Sequence, residues 1–259
     1  MDVDVTGITN VGDNTFLTPF VDDAKLASGN SWGMDTSNVA AINDTHGVAY
    51  AWQIQRGNTV INEGNAVASI TLGDPKPIAT RVGPLLTGPS AIQLGLVAIL
   101  RVDNYVYVYS SGGPTNLIVG RVTASDDVFD ASKYSFLETD GKTWSTPASG
   151  IPDASSTTYG MKTANTSGQF GCNVYGSVFY SAYLQKYVII CTAVESFTNM
   201  YVSATPEGPW SAEYQLLKGW GSGYGSMAHP EFSTDGQQSF YFSQGPDGPM
   251  NMFKVSFKF

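Results

Sequence analysis

Two acidic residues far apart in the chain are the candidates for paired-carboxylate chemistry: Asp35 in Gly33-Met34-Asp35-Thr36, and Glu231 in His229-Pro230-Glu231-Phe232. Cleaving a glycosidic bond takes two such groups flanking the bond. One is a protonated acid and the other an ionised base or nucleophile, and their separation decides whether the anomeric centre is retained or inverted. Asp35 takes the base or nucleophile role and Glu231 the acid role. The competing reading has Asp35 capping a turn and Glu231 alternating outward from His229. His229 follows the glycine-rich run Gly219–Gly225 and is expected at the start of a strand. It is read either as a catalytic helper and cation ligand, or as a hydrogen-bonded structural group.

Around these groups stand residues able to hold a substrate. Trp32, Trp52, Tyr159, Trp220 and Tyr224 fall in or beside expected loops and strand ends, where an exposed ring stacks on a sugar face. Ordinary packing is the alternative, and it accounts for Tyr105, Tyr107, Phe179 and Phe240. Gln93, Asn173 and Tyr175 are expected where strands begin, beside Asn38, Ser90 and Gln169. Arg56, Arg81 and Arg121 could clamp a carboxylate bidentately, or pair with a neighbouring acid. The other histidine, His46, reads as a surface turn residue. No second His or Cys completes a transition-metal site. No cofactor is required, and a metal here would be an oxygen-bound ion such as Ca²⁺.

The elements that must position these groups are strands. From Tyr175 to Leu217 the chain reads as a four-stranded antiparallel meander, with strands at Val174–Tyr180, Tyr187–Thr192, Asn199–Ala204 and Tyr214–Leu217. Period-2 alternation, β-branched and aromatic enrichment and Pro/Gly breaks carry the assignment. A unit of this kind cannot bury both faces alone, so it implies neighbours. Partial copies run from Ser37 to Thr80, from Ser90 to Trp144 and from Ala228 to Phe257. The expectation is one all-β domain over residues 1–259, a β-propeller of five blades with one incomplete or closed by Val3–Ile8 or Thr15–Phe20. A four-bladed ring is the runner-up. The ring leaves only short protected edges, and its central channel is where ligands and the Ca²⁺ would sit.

The formal net charge is −9. So few Lys and Arg argue against nucleic acid as a partner and favour an uncharged oligo- or polysaccharide. No apolar run is long enough to cross a membrane. The start lacks the basic and apolar regions of a signal peptide, yet the composition favours a secreted protein that has lost its leader. The sequons Asn43-Asp44-Thr45 and Asn165-Thr166-Ser167 are compatible with secretion. A monomer or weak homo-oligomer is expected. If the hairpin turns near Leu184, Cys191 faces Gly176, and Cys172 lies four residues further along the strand. At ~3.4 Å per residue that is ~13 Å, beyond disulfide reach. Two free thiols are therefore the first reading, and a bridge closed by a bulge the second.

Tyr201-Val-Ser-Ala-Thr-Pro-Glu-Gly-Pro-Trp-Ser211 resembles the blade-ending motif of five-bladed propeller glycosidases of the arabinanase type. Met227-Ala-His-Pro-Glu-Phe-Ser-Thr-Asp-Gly236 resembles the opening of their late blades. Tyr105-Val-Tyr-Val-Tyr109, with Leu117-Ile-Val-Gly-Arg-Val122, is similar to secreted propellers related to endo-D-arabinanases. The resemblance covers residues 90–259 well and 1–89 poorly. It implies an acid on the innermost strand of an early blade, a place that Asp35 alone can fill, and a His beside the central channel. Glu138-Thr-Asp-Gly-Lys-Thr-Trp144 resembles a sialidase Asp-box with its spacing off by one, and reads as a structural turn. The function implied is hydrolysis of an arabinan-like polysaccharide. The alternatives are a non-catalytic sugar-binding propeller, or a lyase or biosynthetic enzyme using His229, Tyr175 and Arg121.

Overall fold

Alternate side chains of a strand point to opposite faces, and here both faces are apolar. On β7 (Tyr105–Ser111), Val106 and Val108 join one buried cluster while Tyr107 and Tyr109 join another. On β12 (Lys186–Thr192), Ile189 and Cys191 share the second cluster, whereas Val188 and Ile190 form a third with Phe179, Met200 and Phe240. Each sheet must therefore be covered on two sides, which produces a row of blades. The structure is a computed structural model and describes residues 26–73, 77–172, 175–192, 197–217, 224–245 and 250–258.

Four antiparallel sheets follow one another among the described residues. In the first blade, β1 (Asn30–Thr36) and β2 (Ala40–Ala41) both pair with β3 (His46–Gly57), followed by β4 (Ile61–Thr71) and β5 (Ile78–Arg81). The second contains β6 (Ala98–Val102), β7, β8 (Leu117–Thr123), β9 (Ser135–Leu137) and β10 (Trp144–Ser145). The third contains β11 (Gly176–Ser181), β12, β13 (Thr198–Ser203) and β14 (Tyr214–Leu217). The fourth contains β15 (Tyr224–His229), β16 (Ser239–Gly245) and β17 (Asn251–Ser256).

The fold is a four-bladed β-propeller, which corrects the expectation of five. The segment around Asp35, read as lying before the first meander, is β1, and it pairs along the extended half of β3 from Gly57 to Ala51. It lengthens the first blade instead of opening another. The closing candidates Val3–Ile8 and Thr15–Phe20, like the single helical turn at Asp22–Leu26, lie outside the described residues.

Polar side chains lock the seams between blades. Asn38, in the break between β1 and β2, accepts from the Ile99 amide (2.9 Å) and donates to the Ile99 carbonyl (2.7 Å). Buried Asn65 donates to Thr87 and to the Ile92 carbonyl and accepts from the Leu94 amide. Tyr50 and Tyr134 share a buried hydroxyl contact of 2.6 Å across the same seam. At the next seam the Thr205–Ser211 turn inserts Trp210 into the cluster between the second and third blades. Its backbone bonds to Lys162 and Ala164, and Tyr109 donates to the Pro206 carbonyl. Burying ~200 Å² of indole stabilises by about 5 kcal/mol at most. The indole N–H has no acceptor among the described residues, which costs roughly 1–3 kcal/mol, so packing wins.

Cys191 does face Gly176. The first reading of the cysteines is nevertheless corrected, since Cys172 and Cys191 are disulfide-bonded with their Cα atoms 5.5 Å apart. The ~13 Å estimate assumed that the strand continues before Gly176, and β11 begins at Gly176. With 19 residues of separation, loop-closure entropy puts the bridge at about 3 kcal/mol. The Cys172→Ala/Cys191→Ala double variant should lose about that much in urea denaturation, and the native protein should show no free thiol until reduced.

The turn at Glu138–Trp144 is structural, as expected. Asp140 accepts from the Lys142 and Thr143 amides and the Thr143 hydroxyl. Asp235 does the same for the Ser239 amide and hydroxyl and for Ser233. The Thr143 hydroxyl draws the Asp140 carboxyl down to about 2, and the Ser239 hydroxyl draws Asp235 down to about 2. Both values lie below the unfolded value of about 3.9. Their contribution is complete above that pH and is lost as pH falls toward 2. The urea midpoint should drop between pH 4 and pH 2, and an Asp140→Asn/Asp235→Asn variant should show a shallower drop.

Candidate functional site

Asp35 sits on β1 opposite Trp52. Its Oδ2 makes a salt bridge with Arg56 and accepts a 2.6 Å hydrogen bond from the Tyr175 hydroxyl. Arg56 lies four residues further along the same face, opposite Ser31, so its side chain must reach back over Gly33. A Cβ on Gly33 would stand 2.9 Å from Ile54 Cγ2 and 3.6 Å from Arg56 Nη1, and a larger side chain there would block the path. Tyr175 immediately precedes β11, so this bond ties the first blade to the third, which face each other across a four-bladed ring. The Asp35 side chain is 15% exposed and that of Arg56 48% exposed. Both bonds described for Asp35 go to Oδ2.

His229 is the last residue of β15, which corrects its expected place at the start of a strand. The strand begins earlier, at Tyr224. Pro230, with its fixed φ and no N–H, ends it and opens a single 3₁₀ turn that carries Glu231. His229 Nδ1 contacts Glu231 Oε1 at 3.1 Å and Nε2 contacts Ser243 Oγ at 2.9 Å. This is the hydrogen-bond order of a serine–histidine–acid relay. Ser243 is only 3% exposed, however, so it cannot reach a substrate. Glu231 stands outward on this turn, with its side chain 58% exposed, and still bonds to His229. His229 and Glu231 line a pocket of about 330 Å³ with Asn38, Ser177, Phe179 and Met227, drawn from three blades. Asp35 is not among its lining residues.

Among the described residues no group of three or more His, Cys, Asp or Glu side chains gathers at one point.

The remaining candidates separate. Trp32 is half-buried on β1, on the face opposite Asp35. Gln93 lies in the turn before β6, which starts at Ala98 rather than Leu94, and its carbonyl accepts from Leu96. Arg121 is on β8, third from the inner edge of its blade. Its guanidinium lies 4.0 Å from the Trp144 ring centroid and 4.9 Å from that of Tyr105. That stacking braces β8 against β7 and β10. Tyr159 belongs to the core between the first two blades. Asn173 and Trp220 lie outside the described residues, and of Tyr224 the described part is its backbone pairing with Gly245. His46, exposed, opens β3 and bonds back to Asn43 and Thr45 of the turn before it, so its reading as a turn residue is off by one position. The sequence reading missed the partnership of Arg56 with Asp35. No local signal marks it, because the two residues meet only through the register of β1 against β3.

No protein-family model matches this chain, and no curated protein matches it. Among solved structures it is similar to a protein from Bacteroides ovatus ATCC 8483 to which a hydrolase activity has been ascribed. The TM-score is 0.59 at 17% identity over 83% of this chain, which spans 54% of that structure's length. It is also similar to a family 117 glycoside hydrolase from the marine bacterium Zobellia galactanivorans, with TM-score 0.49 and 13% identity over 93% of this chain and 71% of that one. A third is the GH43_1 enzyme from Xanthomonas citri complexed with xylose, with TM-score 0.37 and 12% identity over 83% of this chain and 84% of that one. At these identities the likeness is one of fold. No helix among the described residues is long and apolar enough to cross a membrane.

If the Asp35–Tyr175 bond is an independent cross-ring tie, a double-mutant cycle of Asp35→Asn and Tyr175→Phe should give a coupling of about 1.5–3 kcal/mol in urea unfolding, the range for a hydrogen bond to a charged group. Additive effects would mean that the tie does not form.

Proposed function

We propose that this protein is a carbohydrate-active propeller that hydrolyses glycosidic bonds in a neutral, arabinan-like polysaccharide. The observation that carries this reading is Asp35, a carboxylate on an innermost strand. Arg56 and Tyr175 orient it through one oxygen, and it has the other oxygen available as base or nucleophile. Glu231 takes the acid role. It is exposed, bonded to His229 and placed in a pocket where three blades meet. The hydrolase activity ascribed to the Bacteroides ovatus protein agrees with this class of reaction. The disulfide and the acidic, uncharged-ligand composition support secretion, and a monomer suffices for the site.

A second reading, a sugar-binding propeller without catalysis, is favoured by the same contacts seen differently. Arg56 and Tyr175 both bind Asp35, and His229 binds Glu231, so each carboxylate has a structural duty. Product release from plant, fungal and mycobacterial polysaccharides separates the two. Under the hydrolase reading, wild type releases oligosaccharides, and Asp35→Asn and Glu231→Gln each lower the rate by about 10²–10⁴-fold while keeping the unfolding free energy within about 2 kcal/mol of wild type. Retention on a polysaccharide with no release by wild type would replace hydrolysis with binding.

A further inference from the structure

A second cleft, of about 560 Å³, opens between the second and third blades. Its walls come from Asn116 in the β7–β8 turn, from Asn165–Gly171, and from Glu213 before β14. No Lys or Arg lines it. Amides, hydroxyls and one carboxylate face the space, which disfavours an anion and suits a neutral ligand rich in hydroxyl groups. An ionised carboxylate only accepts, through two oxygens, while an amide both donates and accepts.

The cleft is held by a network that fixes Glu213. Asn165 Oδ1 accepts from the Glu213 amide at 2.8 Å, and Asn165 Nδ2 donates to the Gln169 carbonyl at 2.7 Å. The Tyr201 hydroxyl donates to Glu213 Oε2 at 3.2 Å and accepts from the Gly171 amide at 2.7 Å. A Cβ on Gly171 would stand 2.7 Å from Glu213 Oε2 and 2.8 Å from Asn199 Nδ2, so the carboxylate's place depends on that glycine. With its amide engaged at both ends, Asn165 serves the cleft, and its sequon has a structural purpose. Such fixed polar groups lower the ordering cost of binding. Gly171 also stands four residues before Tyr175, at most about 14 Å along an extended chain. The cleft and the Asp35 tie thus sit at two ends of one short segment.

We infer that this cleft is an accessory sugar-binding site, which anchors a polysaccharide chain a few units from Asp35. The inference rests on the hydrolase reading for the position of the cleaved bond, and not for the binding itself. Affinity electrophoresis in gels containing soluble arabinan, xylan or β-1,3-glucan tests it, with Asp35→Asn present throughout so that no polymer is consumed. The Asp35→Asn protein should be retarded by at least one of the three. Adding Glu213→Ala, or separately Gln169→Ala, should weaken that retardation about tenfold or more in apparent Kd. Gln169 is exposed, so its variant keeps the test open should Glu213→Ala fail to fold. Unchanged retardation in both variants, or none with any polymer, would overturn the inference. Retardation lost with Glu213→Ala, in a protein whose wild type releases no product, would uphold the cleft and sink the hydrolase reading. Product release by wild type with unchanged retardation would do the reverse.

Discussion

A sheet that is apolar on both faces cannot stop at one neighbour, and this constraint organises the molecule. Val106 and Val108 turn one way from β7 while Tyr107 and Tyr109 turn the other. The second blade is therefore stable only when flanked by the first and the third. The same holds for β12, whose two faces reach the second blade and the fourth. Apolar contact alone sets no register between stacked sheets, because it is non-directional. The register comes from the few polar groups at the seams. Asn65 satisfies three partners with one buried side chain, and Asn38 takes both the N–H and the C=O of Ile99. Leaving any one of these groups unpaired would cost roughly 1–3 kcal/mol, so slipped arrangements are disfavoured.

The site inherits its geometry from that stacking. Asp35 and Tyr175 are separated by 140 residues, and nothing local brings them together. They meet because the first and third blades are held at fixed positions by the second. The disulfide acts in the same direction. It pins the segment before β11 to β12, and Tyr175 stands between Cys172 and the first residue of β11. Tyr175 therefore approaches Asp35 from a point anchored on both sides, a way of fixing a hydroxyl to within the tolerance that catalysis or tight binding needs.

Much of the fold was legible in the sequence. The strands Leu117–Thr123 and Tyr214–Leu217 were read with their observed bounds, because clean alternation is bounded there by turn residues. What failed was reading where blades begin. The segment Asn30–Thr36 has a glycine and mixed polarity, so it lacked a period-2 signal, and its pairing with β3 is a tertiary fact. The same cause misplaced His229: a glycine-rich run looks like a loop, yet β15 starts within it at Tyr224. The cysteines failed for a related reason, since a spacing argument must assume that the strand continues. At the site, Asp35 and Tyr175 were each singled out but not joined, and Glu213 carried no mark at all. Its significance comes from Tyr201 and Gly171, which reach it only in the folded chain.

Polar groups in this propeller sort by what is left over after the blades are held. Asn38, Asn65, Tyr50 and Tyr134 spend their hydrogen-bonding capacity on the seams, and three of the four are fully buried. Arg121 is spent on two aromatic rings. Asp35, Glu231 and Glu213 differ. Each is oriented through one described oxygen by a neighbour, Tyr175 with Arg56, His229 and Tyr201 respectively, and none is fully buried. A carboxylate needed only for structure is cheapest either fully paired or fully solvated. Glu231 and Glu213, each held by one described oxygen beside a cavity, keep acceptor capacity beyond that bond. The cleft at Glu213 is walled by amides and hydroxyls, while the pocket at Glu231 is mixed, with Val178, Phe179 and Met227 among its walls.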